Sequence, residues 1–223
     1  MELNLTEKFL LLALHPEKPR YIISEAALNA GLIGAILLDL TAEGKIELVQ
    51  KKINVSRSHA SSLSPAHKWA LEKIAHARKE RKAKTWISLL AQRSRRFRHL
   101  ILEELSKKRL VTIEHKRFLF IPYIKASLRR KDAQKEIITD LKHILSASKL
   151  VNAEYSSLLG LVDACKMHKI MASDKAEIKK IKQQLKTVVA NDTIMGDVSA
   201  VIKETQAAIA AAITTSVIVT PHH

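Results

Sequence analysis

Residues 93 to 98 read RSRRFR, four arginines in six positions, between the apolar run TWISLL and the sequence HLILEEL. Guanidinium groups stay charged at physiological pH and hold phosphate or carboxylate oxygens through paired N–H donors. Helical geometry sorts these arginines by face. Phe97, Ile101 and Leu105 recur at four-residue spacing and form an apolar stripe, with Leu100 beside it. At a turn of about 100° per residue, Arg95 lies about 160° and Arg98 about 100° from Phe97, on the same flank. Three residues apart, those two guanidinium groups can converge on one anion, while Arg96 points to the other flank.

The surrounding charge is regional. Of the formal net charge of +16, residues 66–131 hold 20 Lys/Arg against 5 Asp/Glu, and the rest of the chain holds 18 against 17. Charge serving only solubility would be spread more evenly. A local positive field attracts polyanions and anionic bilayers alike. Arg93 and Arg96, together with Arg129 and Arg130, are read as this supporting basic field.

Other chemistries find no pattern. The chain has no glycine-rich phosphate loop, no zinc-spaced Cys/His set and no His-Glu-x-x-His motif. His67 and His76 in HKWALEKIAH fall about 180° apart on a helix and read as solvated surface histidines. No metal and no cofactor are expected. The single cysteine, Cys165, rules out an internal disulfide, fits a reducing compartment and reads as a small buried apolar side chain. No Ser/His/Asp set sits on a strand–turn–helix elbow, so the chain is read as non-enzymatic.

The elements that must position the arginines are mostly helical. Apolar residues make up 47% and aromatics 4% of the 223 residues, with five glycines and five prolines; that composition favours helices over a sandwich of strands. The expected fold is mainly α: a single domain over 1–223 with a helix-bundle core, a buried apolar C-terminal helix and one or two short β-hairpins. Thr6 is placed as the cap of a first helix. Ser24–Gly44 is the clearest helix, with Ser24 as N-cap, Leu28, Leu32, Ile36 and Leu40 at four-residue spacing, and Gly44 at a left-handed C-cap. KIELVQKKINV alternates as a strand or short hairpin, and Ser56–Pro65 is the most loop-like stretch. The next helix carries Trp69 and Ile74 on its apolar side, KTWISLLAQ is a short helix, and Ser94 is placed as the cap of the arginine helix.

RLVTIEHKRFLFIPYI reads as a hairpin turning at EHKR. The second run is apolar on both sides, which requires burial on two faces or contact with a partner or membrane. Tyr123 and Ile124, with their neighbours, are the candidate membrane contacts. Amphipathic helices follow. The terminal stretch AAIAAAITTSVIV, 13 residues long, falls short of the roughly 20 needed to span a bilayer. The N-terminus has an acid at position 2 and lacks a small-residue cleavage site, so it does not read as a signal peptide.

Several segments together resemble the Golgi phosphoprotein 3 family: LTEKFLLLAL, then ALNAGLIGAILLDLTAEGKIEL with Gly31 and Gly34 before the Gly44-Lys45-Ile46 turn. TWISLL, RHLILEELSKKRLV and FLFIPYI follow in the same order, and LLGLVDACK matches on pattern. The resemblance implies a helical domain whose bundle encloses the terminal helix. It also implies a peripheral membrane protein that, in eukaryotic members, binds phosphatidylinositol 4-phosphate and connects the Golgi membrane to cargo enzymes and cytoskeletal partners. The family's headgroup arginines fall on Arg95 and Arg98. Its first-loop aromatic falls near Ser24, and the arginine of its Gly-Leu-x-Gly motif falls on Ile33, so the chain departs from the pattern at two positions.

The function expected is binding of an anionic membrane lipid headgroup, of the phosphoinositide type, by Arg95, Arg98 and the Ser24 position. The protein would sit peripherally on the cytosolic face of a membrane. Protein partners or self-association are compatible with this. The alternatives are a winged-helix-like nucleic-acid binder with EHKR as wing tip, and a scaffold for an acidic protein.

Overall fold

The computed structural model describes residues 2–56, 63–118, 120–147, 152–172, 174–190 and 197–218. Most of the loop expected over Ser56–Pro65, and Leu119 of the hairpin, lie outside the described residues. Nine helices are present among the described residues: α1 Leu5–Ala13, α2 Glu25–Ala42, α3 Pro65–Ala75, α4 Ala83–Ala91, α5 Ser94–Lys107, α6 Lys131–Ala147, α7 Ala153–Ala164, α8 Lys175–Ala190 and α9 Asp197–Ile218, with one 3₁₀ turn at His168–Ile170. Strands β1 Ile46–Val49, β2 Lys52–Val55 and β3 Arg81–Lys82 form one small sheet, and β4 Val111–Phe118 pairs with β5 Ile121–Leu128 in a second. The mainly helical expectation is met.

α2 is the centre of the bundle. It is apolar nearly all round, buried from Ala27 to Leu40, and packs on α1, α3, α4, α5, α7 and α9. A helix of this kind belongs inside a protein or a membrane. Among the described residues it is the one helix long and apolar enough to span a bilayer, and here its apolar surface is spent on its neighbours. Ser24 caps it as expected, accepting from the Ala27 amide at 3.2 Å, and Gly44 takes φ +65° beyond its end.

The two glycines of the Gly-Leu-x-Gly motif allow this packing on two sides. A methyl group at Gly31 would sit against the Phe9 ring of α1 and 2.6 Å from Cys165 Sγ. At Gly34 it would sit 2.6 Å from Ile209 Cδ1 and 3.1 Å from Thr205 Cγ2 of α9. Cys165 itself is buried, and burial pushes its thiol up to about 12. At neutral pH it is an uncharged packing group.

Some local expectations change. Asn4, not Thr6, caps α1: its side chain accepts from the Glu7 amide at 2.8 Å while Glu7 Oε2 accepts from the Asn4 amide at 3.1 Å. Thr6 lies two residues too far in, and its hydroxyl donates to Asp39 Oδ2 at 2.6 Å. Ser94 does not cap α5 either. The backbone of Arg93 opens that helix, and Ser94 is buried in its first turn. His67 is not a surface histidine but is buried against Asp39, Thr6 and Ser64, whereas His76 is exposed. The partners of His67, Thr6 of α1 and Asp39 of α2, are far away in sequence.

Among the described side chains of α9, Thr205, Ala208 and Ile209 are buried against α2, α4 and α7, while Ala207, Ala210 and Thr214 are exposed.

Replacing Gly31 by Val tests the close approach of α1 and α7 to α2. Overpacking a filled core costs about 1–3 kcal/mol, and the helix-propensity gain of Val over Gly is about 0.4 kcal/mol. A net loss of roughly 0.6–2.6 kcal/mol is expected in urea unfolding. An unchanged midpoint would refute the packing argument.

Candidate functional site

The arginine flank of α5 meets two other elements. The first is the β4–β5 hairpin, in register from Val111 opposite Leu128 to Phe118 opposite Ile121. EHKR is therefore strand, not turn. Residues two apart on a strand share a face, and Glu114 and Lys116 use this to form an ion pair at 2.9 Å. The chain reverses beyond Phe118 instead, where Phe120 takes φ +68° and is 97% exposed. An exposed phenylalanine in the left-handed region is held there against both solvation and steric preference.

The second element is the segment between α1 and α2. An antiparallel bridge between Leu14 and Tyr21, with the Ile22 amide donating to the Ala13 carbonyl at 2.9 Å, folds it back on itself. That brings the Tyr21 ring to α5, where the Arg98 guanidinium lies 5.5 Å from its centroid. Burial raises the Tyr21 phenol above its ordinary range, partly opposed by Arg98. It is therefore a neutral hydroxyl at physiological pH.

Between these elements lies a cavity of about 980 Å³. Arg95, Arg96, Arg98, His99 and Leu102 of α5 form one wall, and His115, Lys116, Arg117, Tyr123 and Ile124 of the hairpin form another. Tyr21, Ile23, Glu25 and Leu28 complete it. Five fixed cations thus face one carboxylate. That carboxylate, Glu25, lies 3.6 Å from Arg98. The His99 Nδ1 is buried without a hydrogen-bond partner among the described residues, while its Nε2 reaches Glu103 at 3.0 Å. The His99 and His115 rings meet edge to face with centroids 6.3 Å apart. A phosphate-sized anion would find guanidinium donors on one side and a phenol on another.

The structure brings Arg95 and Arg98 together on this cavity, with Tyr123 and Ile124 lining it. Arg96 lines it too, while its guanidinium rests 5.2 Å over the Trp69 ring. Arg93 lines a separate cavity. Arg129 and Arg130 lie at the opposite end of the hairpin from Phe120, and Arg130 is paired with Asp132. Ser24 does not line the cavity, because its hydroxyl is committed to the helix cap. Ile33 is fully buried in α2.

Sequence reading missed Tyr21, Phe120 and the two histidines. For Tyr21 the signal was present: an aromatic residue three positions before Ser24 in the same loop. For His99 and His115 there was none, because their meeting depends on how the hairpin folds over α5.

The family model for Golgi phosphoprotein 3 (GPP34) matches residues 5–211, nearly the whole chain. The chain belongs to the Golgi phosphoprotein 3 family. No curated protein matches it at a significant level. In this Golgi phosphoprotein 3 member, the cavity cations come from α5 and the hairpin, and α2 supplies a carboxylate.

Removing that carboxylate tests whether the cavity takes anions. Sulfate bound only to the native state raises the melting temperature by mass action. Glu25→Gln removes an opposing charge worth on the order of 1 kcal/mol at partial exposure, so the sulfate concentration giving half the rise should fall about fivefold. A sulfate response equal to that of wild type would count against an anion site.

Proposed function

We propose that this Golgi phosphoprotein 3 member is a non-enzymatic peripheral membrane protein, bound to the cytosolic face of a membrane. Its cavity takes the phosphate of an anionic phospholipid headgroup of the phosphoinositide type. The observation that carries this reading is one juxtaposition. Arg95 and Arg98 line a cavity walled by a hairpin whose tip residue, Phe120, is apolar and 97% exposed. Headgroup capture and shallow insertion into a bilayer can then occur together.

The chemistry follows from the residue types. Arg95 and Arg98 donate charge-assisted hydrogen bonds to phosphate oxygens. Tyr21 packs on Arg98 and presents a neutral hydroxyl. Lys116 and Arg117 stand on β4 close to the tip, where each basic side chain near an anionic surface contributes about 1 kcal/mol. Burying the Phe120 ring contributes about 1.5–3 kcal/mol. Tyr21 takes the aromatic role that the family pattern assigned to the Ser24 position, and no α2 cation replaces the arginine at Ile33.

The winged-helix alternative is disfavoured by the same hairpin. A wing contacts phosphates with a basic tip, whereas here Lys116 and Arg117 lie within the strand and the tip carries Phe120.

Co-sedimentation with phosphatidylcholine vesicles containing phosphatidylinositol 4-phosphate, at about 0.15 M salt, is the direct test. Hydrogen bonds to charged groups are worth about 1.5–3 kcal/mol, so Arg95→Ala/Arg98→Ala should weaken binding at least tenfold. Tighter retention of the wild type on duplex DNA than on such vesicles would overturn the reading. Phe120→Asp should weaken vesicle binding about tenfold, by the lost burial of the ring, and leave the affinity for soluble inositol phosphates unchanged. Equal losses in both assays would place Phe120 in the structure of the cavity rather than in the bilayer.

A further inference from the structure

A second cavity, of about 460 Å³, shares Arg96 with the first. Its lining includes Trp69 and Lys73 of α3, Arg81 of β3, Trp86 of α4, and Arg93 and Arg96 at the start of α5. No acidic residue lines it. Lys73 Nζ sits 5.4 Å and the Arg96 guanidinium 5.2 Å from the centre of the Trp69 ring, and Arg81 sits 5.9 Å from that of Trp86. None of the four cations forms an ion pair among the described residues.

Four like charges around a hollow repel one another, and cation–π contacts offset only part of that. The repulsion is relieved when an anion enters. The hollow also has an apolar side. Leu89 is an exposed large hydrophobic residue on its rim, and Trp86, 4% exposed, has an indole N–H without a hydrogen-bond partner among the described residues. Basic side chains beside indoles and an exposed leucine suit an amphiphilic anion: phosphate on the cations, glycerol and the upper acyl chain on the apolar rim. The volume accommodates one headgroup rather than a length of extended peptide.

We propose that this cavity is a second phospholipid site, taking the phosphodiester of an anionic glycerophospholipid beside the headgroup held in the first. The inference rests on the membrane reading above. Arg96 makes the two sites contiguous, so two lipids of one leaflet engage one molecule. Linked sites of this kind raise apparent affinity without new contacts at either.

Both tryptophans of the chain line this cavity, so intrinsic fluorescence reads it directly. Wild type, Arg81→Gln/Arg93→Gln, Lys73→Gln and Arg95→Ala/Arg98→Ala are titrated with dihexanoyl phosphatidylglycerol below its micelle concentration. Inorganic phosphate, dihexanoyl phosphatidylcholine and a glutamate decapeptide are titrated in parallel. Arg81, Arg93 and Lys73 are exposed, so their variants should keep the wild-type melting temperature. The expected result is a saturable emission change with phosphatidylglycerol in wild type and in Arg95→Ala/Arg98→Ala. Its midpoint should rise about tenfold in Arg81→Gln/Arg93→Gln and severalfold in Lys73→Gln.

The absence of a change in wild type overturns the proposal, as does an unchanged midpoint in the Arg81/Arg93 and Lys73 variants. An equal response to inorganic phosphate or to phosphatidylcholine overturns the lipid assignment. A tighter response to the glutamate peptide replaces it with an acidic protein segment. Full vesicle binding by Arg95→Ala/Arg98→Ala would defeat the first-cavity reading alone, since the tryptophan titration still decides the second.

Discussion

The carboxylate of Asp39, near the end of α2, is where three helices are tied together. Its oxygens accept from the amides of Leu5 and Thr6 at 3.1 and 2.9 Å, from the Thr6 hydroxyl at 2.6 Å and from His67 Nε2 at 3.0 Å. A buried charge is tolerable only when donors surround it. Here two of them are unpaired amides at the start of α1, where the helix dipole also favours an anion. Because a carboxylate only accepts, His67 donates to it from Nε2, and its Nδ1 lies 2.6 Å from the Ser64 hydroxyl. The start of α1, the end of α2 and the start of α3 thus share one polar knot in an otherwise apolar core.

Both cavities inherit their shape from that knot. α1, fixed at its start, delivers the fold-back that holds Tyr21 over Arg98. Its Glu7 is also paired with Lys108 at 2.7 Å, which ties it to the far end of α5. α3, fixed by His67, carries Trp69 into edge contact with Phe97 at 4.4 Å between centroids. Phe97 is the core residue flanked by the arginines. Its burial points Arg95 and Arg98 one way and sets Arg96 against Trp69 the other way.

Much of this was legible because it repeats at short range. The four-residue stripe of Phe97, Ile101 and Leu105 gave the face of α5, and all three are buried. The Ser24 and Gly44 signals bounded α2 correctly. What was illegible depends on partners distant in sequence. The burial of His67 requires Asp39, 28 residues earlier. The hairpin turn misled because neither EHKR nor the residues beyond Phe118 contain Gly, Asn or Asp. With turn chemistry silent, cross-strand pairing decides the register, Glu114 standing opposite Lys125.

The uneven placement of charge has a kinetic consequence. Residues 66–131, with 20 Lys/Arg against 5 Asp/Glu, include both α5 and the β4–β5 hairpin. On the membrane reading proposed above, an anionic bilayer would attract that segment first and favour encounters in which the hairpin leads. That attraction is screened by salt within about a Debye length, whereas burial of an apolar ring in a bilayer is not. On that reading both arrival and the basic contacts in the bound state weaken as salt rises, and the Phe120 ring is the part of the attachment that electrolyte leaves unchanged.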